Sequence, residues 1–160
     1  MRYMTIQIET LEELEELITK DAKNALMTRG SMSNQIIRDK VVDVTKEMVY
    51  ARYEPKNYER RGEQGGLSDE ENLTIYLEGK LDKNTYQLSI AQEVDGNFDD
   101  NEYSNDLAPT INEGWGDKKQ PYEKPSGHLD YLRENLTTGI VGELINALKH
   151  DLHMLGYEIK

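Results

Sequence analysis

The chain has 160 residues, 36% of them hydrophobic and 31% charged, with a net charge of -12. That length suits one domain with a moderate core. The acidic balance repels phosphate and disfavours nonspecific nucleic-acid binding, and the absence of cysteine excludes disulfides, thiol catalysis and Cys-containing zinc sites.

Mean hydropathy is low, at -0.80. Ten Tyr against one Phe point to aromatic surface used in contacts with partners as well as in a core. The N-terminus lacks the apolar run of a signal peptide, and no segment reaches bilayer-spanning length. An intracellular product without a membrane anchor is expected.

Residues 3–8 alternate, with Met4, Ile6 and Ile8 on one side, which predicts a short strand. Thr10 stands three residues before Glu13, a capping box that opens a helix. Leu11, Leu14, Leu17, Ile18 and Ala25 follow at helical spacing. Glu12, Glu13, Glu15 and Glu16 crowd the first turns, where the helix dipole favours acids. Gly30 marks a stop or a kink before a second helical pattern through Ile36, Ile37, Val41, Val44 and Met48. That pattern ends before Pro55, which disfavours helix at Glu54.

Residues 53–72 are polar and carry Gly62, Gly65 and Gly66, the composition of a long loop. Leu73, Ile75 and Leu77 then alternate, as do Tyr86, Leu88 and Ile90, with a turn-rich stretch between them: a β-hairpin. Residues 93–106 hold six acids and neither Lys nor Arg. Pro109, Pro121 and Pro125 stiffen an irregular segment before a helix from His128 to Thr138. Gly139 breaks it. A last helix carries Ile140, Val141, Leu144, Ile145, Leu148, Leu152 and Leu155, with Gly156 as its cap. Leu144, Leu148 and Leu152 are expected to pack this helix on the sheet.

These elements predict one α+β domain over residues 1–160, with a small antiparallel sheet, N- and C-terminal helices on one face, and long loops. Its parts are a strand plus helices at 1–52, a loop-rich hairpin region at 53–122 and a C-terminal helical segment at 123–160.

No constellation in the chain points to catalysis, so the chain is expected not to be an enzyme. His150 and His153 lie one helical turn apart, and a zinc site there would need a third ligand such as His128 or a carboxylate. The plainer reading is a solvated helix face. Asp95, Asn97, Asp99 and Asp106 follow part of a calcium-loop spacing, but Asp100 occupies the position where that loop needs Gly. An acidic surface loop is therefore expected there, and no metal or cofactor in the chain. The Gly65-Gly66 pair and the Gly114-Trp115-Gly116 triplet lack the strand–turn–helix context of phosphate loops. They predict tight turns, with Trp115 an anchor on the sheet or on a neighbour.

The segment from Tyr50 to Gly62 interleaves Tyr50, Tyr53 and Tyr58 with Arg52, Arg60 and Arg61. Glu54 and Glu59 dilute its charge, so a protein contact fits better than a nucleic acid. Tyr53, Tyr58, Arg60, Arg61 and Trp115 are the candidate interface residues.

The chain resembles a group of small proteins from phages of Gram-positive hosts, minor structural components of the tail-completion or head–tail joining (neck) type. The likeness rests on a Tyr-x-Pro-x-x-Tyr-x-Arg-Arg segment, here Tyr53, Pro55, Tyr58, Arg60 and Arg61. It leads to a Gly-Leu-x-Asp-x-x-Asn turn, here Gly66, Leu67, Asp69 and Asn72. A closing Leu-Gly-Tyr also matches, at Leu155, Gly156 and Tyr157. The Pro-rich stretch from Glu123 to Leu129 departs from the family's usual Arg and Phe. The likeness runs over about residues 48–160. It implies an α+β ring subunit, commonly sixfold, at the neck or the top of the tail tube of the virion. It also implies neighbouring neck or tail proteins as partners, no catalytic residues, and DNA that passes through without sequence-specific binding. The alternative is an acidic phage anti-defence protein, a nucleic-acid mimic that blocks a host nuclease. It accounts for the charge but not for the Tyr-Pro-Tyr-Arg-Arg block.

Overall fold

The computed structural model describes residues 8–52, 64–80, 85–94, 107–113 and 126–158. The strand expected at 3–8, Ile8 apart, and the acidic loop at 95–106 lie outside those residues.

Helix α1 spans Leu11–Met27. Thr10 caps it as the spacing predicts, its hydroxyl accepting from Glu13 N at 3.2 Å. The Glu13 carboxylate reaches back to accept from Glu9 N at 2.9 Å. One donor of the first turn and one just before the cap are satisfied in this way. Ala25 is buried on the inner face, yet Leu11, the first residue of the expected apolar series, is 82% exposed.

Gly30 separates two helices rather than kinking one. Its φ of 96° is left-handed, a region that L side chains avoid. The Ser31 hydroxyl then serves both elements. It donates to Thr28 O at 2.9 Å and accepts from Asn34 N at 3.2 Å, capping α2, Met32–Thr45. Helix α2 is the centre of the molecule, and Ser33, Asn34, Ile37, Arg38, Val41, Val44 and Thr45 are all buried. A wide helical turn, Lys46–Tyr50, continues it.

The hairpin forms where alternation places it, with β1 at Leu73–Lys80 and β2 at Tyr86–Gln92. Ile75 faces Ile90 and Leu77 faces Leu88 across the antiparallel pair. The register slips between Glu78 and Lys80, a bulge at Gly79. One core cluster joins this sheet to the helices: Val41, Val44, Leu73 and Leu132, with Ile90 and Leu136 packed against it. A second cluster holds Val49, Leu67, Val94, Ala108 and Ile111.

Two expectations are corrected. The segment after residue 106 is not wholly irregular, because Leu107–Glu113 forms a short helix, α3. Pro109 is tolerated there since it falls in the first turn, where an N–H has no intrahelical acceptor. Ala108 and Ile111, one turn apart, carry α3 into the second cluster. The other correction concerns the C-terminus. Helix α4, His128–Glu134, and a wide turn, Asn135–Gly139, precede α5, Val141–Met154. Helix α5 packs chiefly on α2 and α1 rather than on the sheet. The spacing of its apolar residues does not say which elements cover them, and Val141 and Ile145 of that series are exposed. Ala147 and Leu152 are buried, while Leu144 and Leu148 are half-buried. Leu152→Ala is therefore expected to cost about 2–5 kcal/mol and Leu148→Ala less. Urea melts that rank them the other way would contradict this packing.

The class is α+β, with a two-stranded antiparallel sheet and helices packed on it. No helix among the described residues is long and apolar enough to cross a membrane.

Candidate interaction surface

Tyr53, Tyr58, Arg60, Arg61 and Trp115 lie outside the described residues. What the structure supplies is the frame on either side of the Tyr/Arg segment. On the near side, Tyr50 packs against the second cluster and its hydroxyl accepts from Ser68 N at 3.3 Å. The Arg52 guanidinium reaches Ser126 O at 3.5 Å. On the far side, the Gly-Leu-x-Asp-x-x-Asn residues form a closed turn. Asp69 accepts from Gly65 N at 2.6 Å and from Glu71 N at 2.9 Å. These two backbone donors hold its carboxyl below the ordinary value. Asn72 Nδ2 donates to Gly66 O at 3.0 Å. The buried Leu67 plugs the core beneath.

Two arginines fasten this turn to the helices. Arg38 is buried on α2. Its Nε donates to Asn34 Oδ1 at 2.7 Å, and its Nη1 donates to Glu70 O at 2.7 Å and Leu73 O at 2.9 Å. Arg29, after α1, forms a two-pronged ion pair with Glu71. The Gly-Leu-x-Asp-x-x-Asn block thus has a structural role. Gly66, Leu67, Asp69 and Asn72 build a fixed base, while the Tyr/Arg part lies outside the described residues.

A polar chain crosses the core where the two clusters meet. Gln92 Nε2 donates to Thr45 Oγ1 and to Leu67 O, each at 3.0 Å. Its Oε1 therefore faces His128 Nε2 at 3.3 Å, which sets that nitrogen as the proton carrier. His128 Nδ1 accepts from the Ser126 hydroxyl at 2.7 Å. Burial, opposed weakly by Asp130, lowers the His128 pKa to about 4. This histidine is committed to the core and is no partner for His150 and His153. Those two sit on exposed turns of α5. Among the described residues no three His, Cys, Asp or Glu groups converge as metal ligands do.

Asp151, which lies between those histidines, has a role that no local spacing announces. Its carboxylate accepts from Met32 N at 2.9 Å, Ser33 N at 2.8 Å and the Ser33 hydroxyl at 2.6 Å. It closes the N-terminus of α2 from the far end of the chain, where the helix dipole favours an anion. Burial raises its pKa, but the Ser33 and Met32 donors outweigh that and the net shift is downward. Asp151→Ala should cost roughly 2–3 kcal/mol. A thermal melt that leaves this variant unchanged would refute the tether.

Around Asp151 the end of α1, the start of α2 and the end of α5 enclose an open groove of about 880 Å³. Met32 is 50% exposed there, Met154 72% and Leu155 60%. Helix α5 ends at Gly156, whose φ is 98°. Gly156 N donates to His153 O and Tyr157 N to Leu152 O, at 2.9 and 3.2 Å, a Schellman cap. The Tyr157 hydroxyl donates to Asp21 at 2.8 Å, closing α5 onto α1.

A family model described as YomN matches residues 10–154 of the chain. No curated protein and no solved structure matches it.

Proposed function

The chain belongs to the YomN family, a phage-derived family, and on that premise we propose that it is a structural component of the virion: a ring subunit at the neck that joins head to tail or completes the tail tube. The observation that carries this reading is the fixed turn at Gly66, Leu67, Asp69 and Asn72. It anchors a segment whose Tyr and Arg content suits a protein contact. In this reading the partners are copies of the chain and neighbouring neck or tail proteins, and no catalytic group is required. The acidic surface suits a channel, because like charges keep DNA from sticking as it passes. A notch between α2 and α5, where Asp39, Asp43 and Glu143 outnumber Lys40, contributes to that surface.

Mass spectrometry of purified virions is the test. The protein is expected at about six copies per particle, the closure implied by the resemblance. Its absence from particles would sink the proposal. Recovery instead on a host nuclease in infected cells would favour the acidic-mimic reading, which the run of glutamates at the start of α1 also suits.

A further inference from the structure

We propose that two copies of this chain pair through the free edge of β2, antiparallel about Ser89, so that their hairpins form one continuous sheet. The contact goes beyond the neck reading and does not depend on it. It starts from hydrogen bonds that the hairpin leaves open. Glu93 N donates to Asn72 O at 2.8 Å, so Asn72 and Glu93 form a hydrogen-bonded pair. Such pairs alternate with non-bonded ones along an antiparallel ladder. Leu73–Gln92, Ile75–Ile90 and Leu77–Leu88 are therefore the non-bonded pairs, and their backbone groups point away from the hairpin. Leu73 O does so on the β1 side, where it accepts from Arg38 at 2.9 Å. On the β2 side the N–H and C=O of Leu88 and of Ile90 face outward. They have no hydrogen-bond partner among the described residues.

The two edges of the hairpin are treated differently. On β1, Arg38 occupies Leu73 O, α1 packs alongside, and the strand ends in a bulge between the charged Glu78 and Lys80. Charge, bulges and covering elements are the means by which proteins blunt a strand edge. Strand β2, Tyr86–Gln92, has none of them. It carries no charged residue and no Pro, in a chain of which 31% is charged. An open cleft of about 540 Å³ runs beside it, with Leu88, Ser89 and Ile90 on one wall and Leu129, Leu132 and Leu136 of the α4 side on the other. A two-stranded hairpin is marginal alone, and an unblunted edge is a template for a further strand.

The sequence of β2 selects that strand. A two-fold rotation about Ser89 sets Leu88 opposite Ile90 of the second copy, Gln87 opposite Ala91, and Ser89 opposite itself. Leu88 and Ile90 then exchange the very bonds that each copy leaves open. A slip of one residue would set them against Gln87 and Ser89, whose backbone groups are committed to β1. Leu against Ile is a favourable cross-strand pair, and Glu93, the acid next to the strand, falls opposite Thr85 of the second copy. No like charges meet along the contact. In a chain of net charge -12, an uncharged edge is where two copies approach with little repulsion. The same patch serves on both sides, as an isologous contact requires.

Sedimentation of the full-length chain is expected to give twice the monomer mass, and Ser89→Lys, which sets two cations face to face, should return it to the monomer with an unchanged circular-dichroism spectrum. The register is tested separately, and by variants that disturb the fold little. The chain has no cysteine, so introduced ones report contact cleanly. Ser89 would face its own copy in a non-bonded pair, with Cα atoms about 4.5 Å apart, within the span of a disulfide. Oxidised Ser89→Cys is therefore expected to run as a covalent dimer. Gln87→Cys should link poorly to itself and well to Ala91→Cys when the two chains are mixed. A monomeric native chain, a dimer that survives Ser89→Lys, or Gln87→Cys linking to itself as readily as Ser89→Cys would overturn the proposal. The virion reading fails separately. A dimer with this register and no protein in virions leaves the contact standing and removes the neck role. Protein in virions whose isolated chain is monomeric does the reverse.

Discussion

Unfolding free energy measured in urea is expected to fall by about 3 kcal/mol as pH is lowered from 7 to 4, with most of the fall below 6.5. The cause is His128, buried at 0% exposure between Ser126 and Gln92. Its pKa falls from 6.5 to about 4 on folding, chiefly by burial. A group whose folded pKa is depressed contributes stability that is present above the unfolded value. That stability is lost as pH falls from the unfolded value toward the folded one. A gap of that size at about 1.4 kcal/mol per unit gives about 3 kcal/mol. Asp69 and Asp151 also sit below the ordinary carboxylate value of 3.8, so their losses come at lower pH and do not blur the window. His128→Gln keeps a polar group in the chain but removes the titration. It should be less stable at pH 7 and show a flatter pH profile down to 4. An identical slope in the variant would assign the acid sensitivity to other groups.

The same histidine shows where sequence reasoning stops. Its position at the start of a helix was readable. Its burial was not, because that depends on Gln92 and Thr45 arriving from a strand and another helix. Features set by neighbours in the chain were recovered. The Thr10–Glu13 cap, the stop at Gly30, the hairpin pairs and the Gly156 end each need only a few adjacent residues. Features set by distant residues were not. Asp151 caps a helix 118 residues away, and no local spacing announces that. The Arg38 guanidinium binds the carbonyls of Glu70 and Leu73, more than thirty residues on, and no spacing around Arg38 marks that contact. Leu11 and Leu155 mark a different limit. Helical periodicity continues past the point where the helix ends outrun the elements that cover them, so two residues of the apolar spacing form exposed surface. Of the candidate contact residues, only composition was readable, and they lie beyond the described residues, between flanks that the structure fixes.

Replacing Arg60 and Arg61 together by Glu is expected to leave the fold intact and to yield full heads separated from tails, with infectious particles lost. The two arginines belong to a segment with Tyr53 and Tyr58, residue types that dominate contact energy at protein interfaces. The chain's charge of -12 argues against DNA as their target. An acidic surface on an adjacent subunit or layer is the partner that fits. The described frame on either side of the segment is held by other groups. Arg52 is held near Ser126 on one side, and Asp69 locks Gly65 and Glu71 on the other. The substitution therefore reverses two charges without touching a described core contact, and circular-dichroism melts should match the wild type. The competing account pairs the arginines locally with Glu54 and Glu59. Exposed pairs of that kind are worth only about 0–1 kcal/mol, so in that case assembly would proceed as before. Electron microscopy of lysates separates the two outcomes. Joined, infectious particles at the normal level would make Arg60 and Arg61 ordinary surface residues and remove this segment from the neck contact.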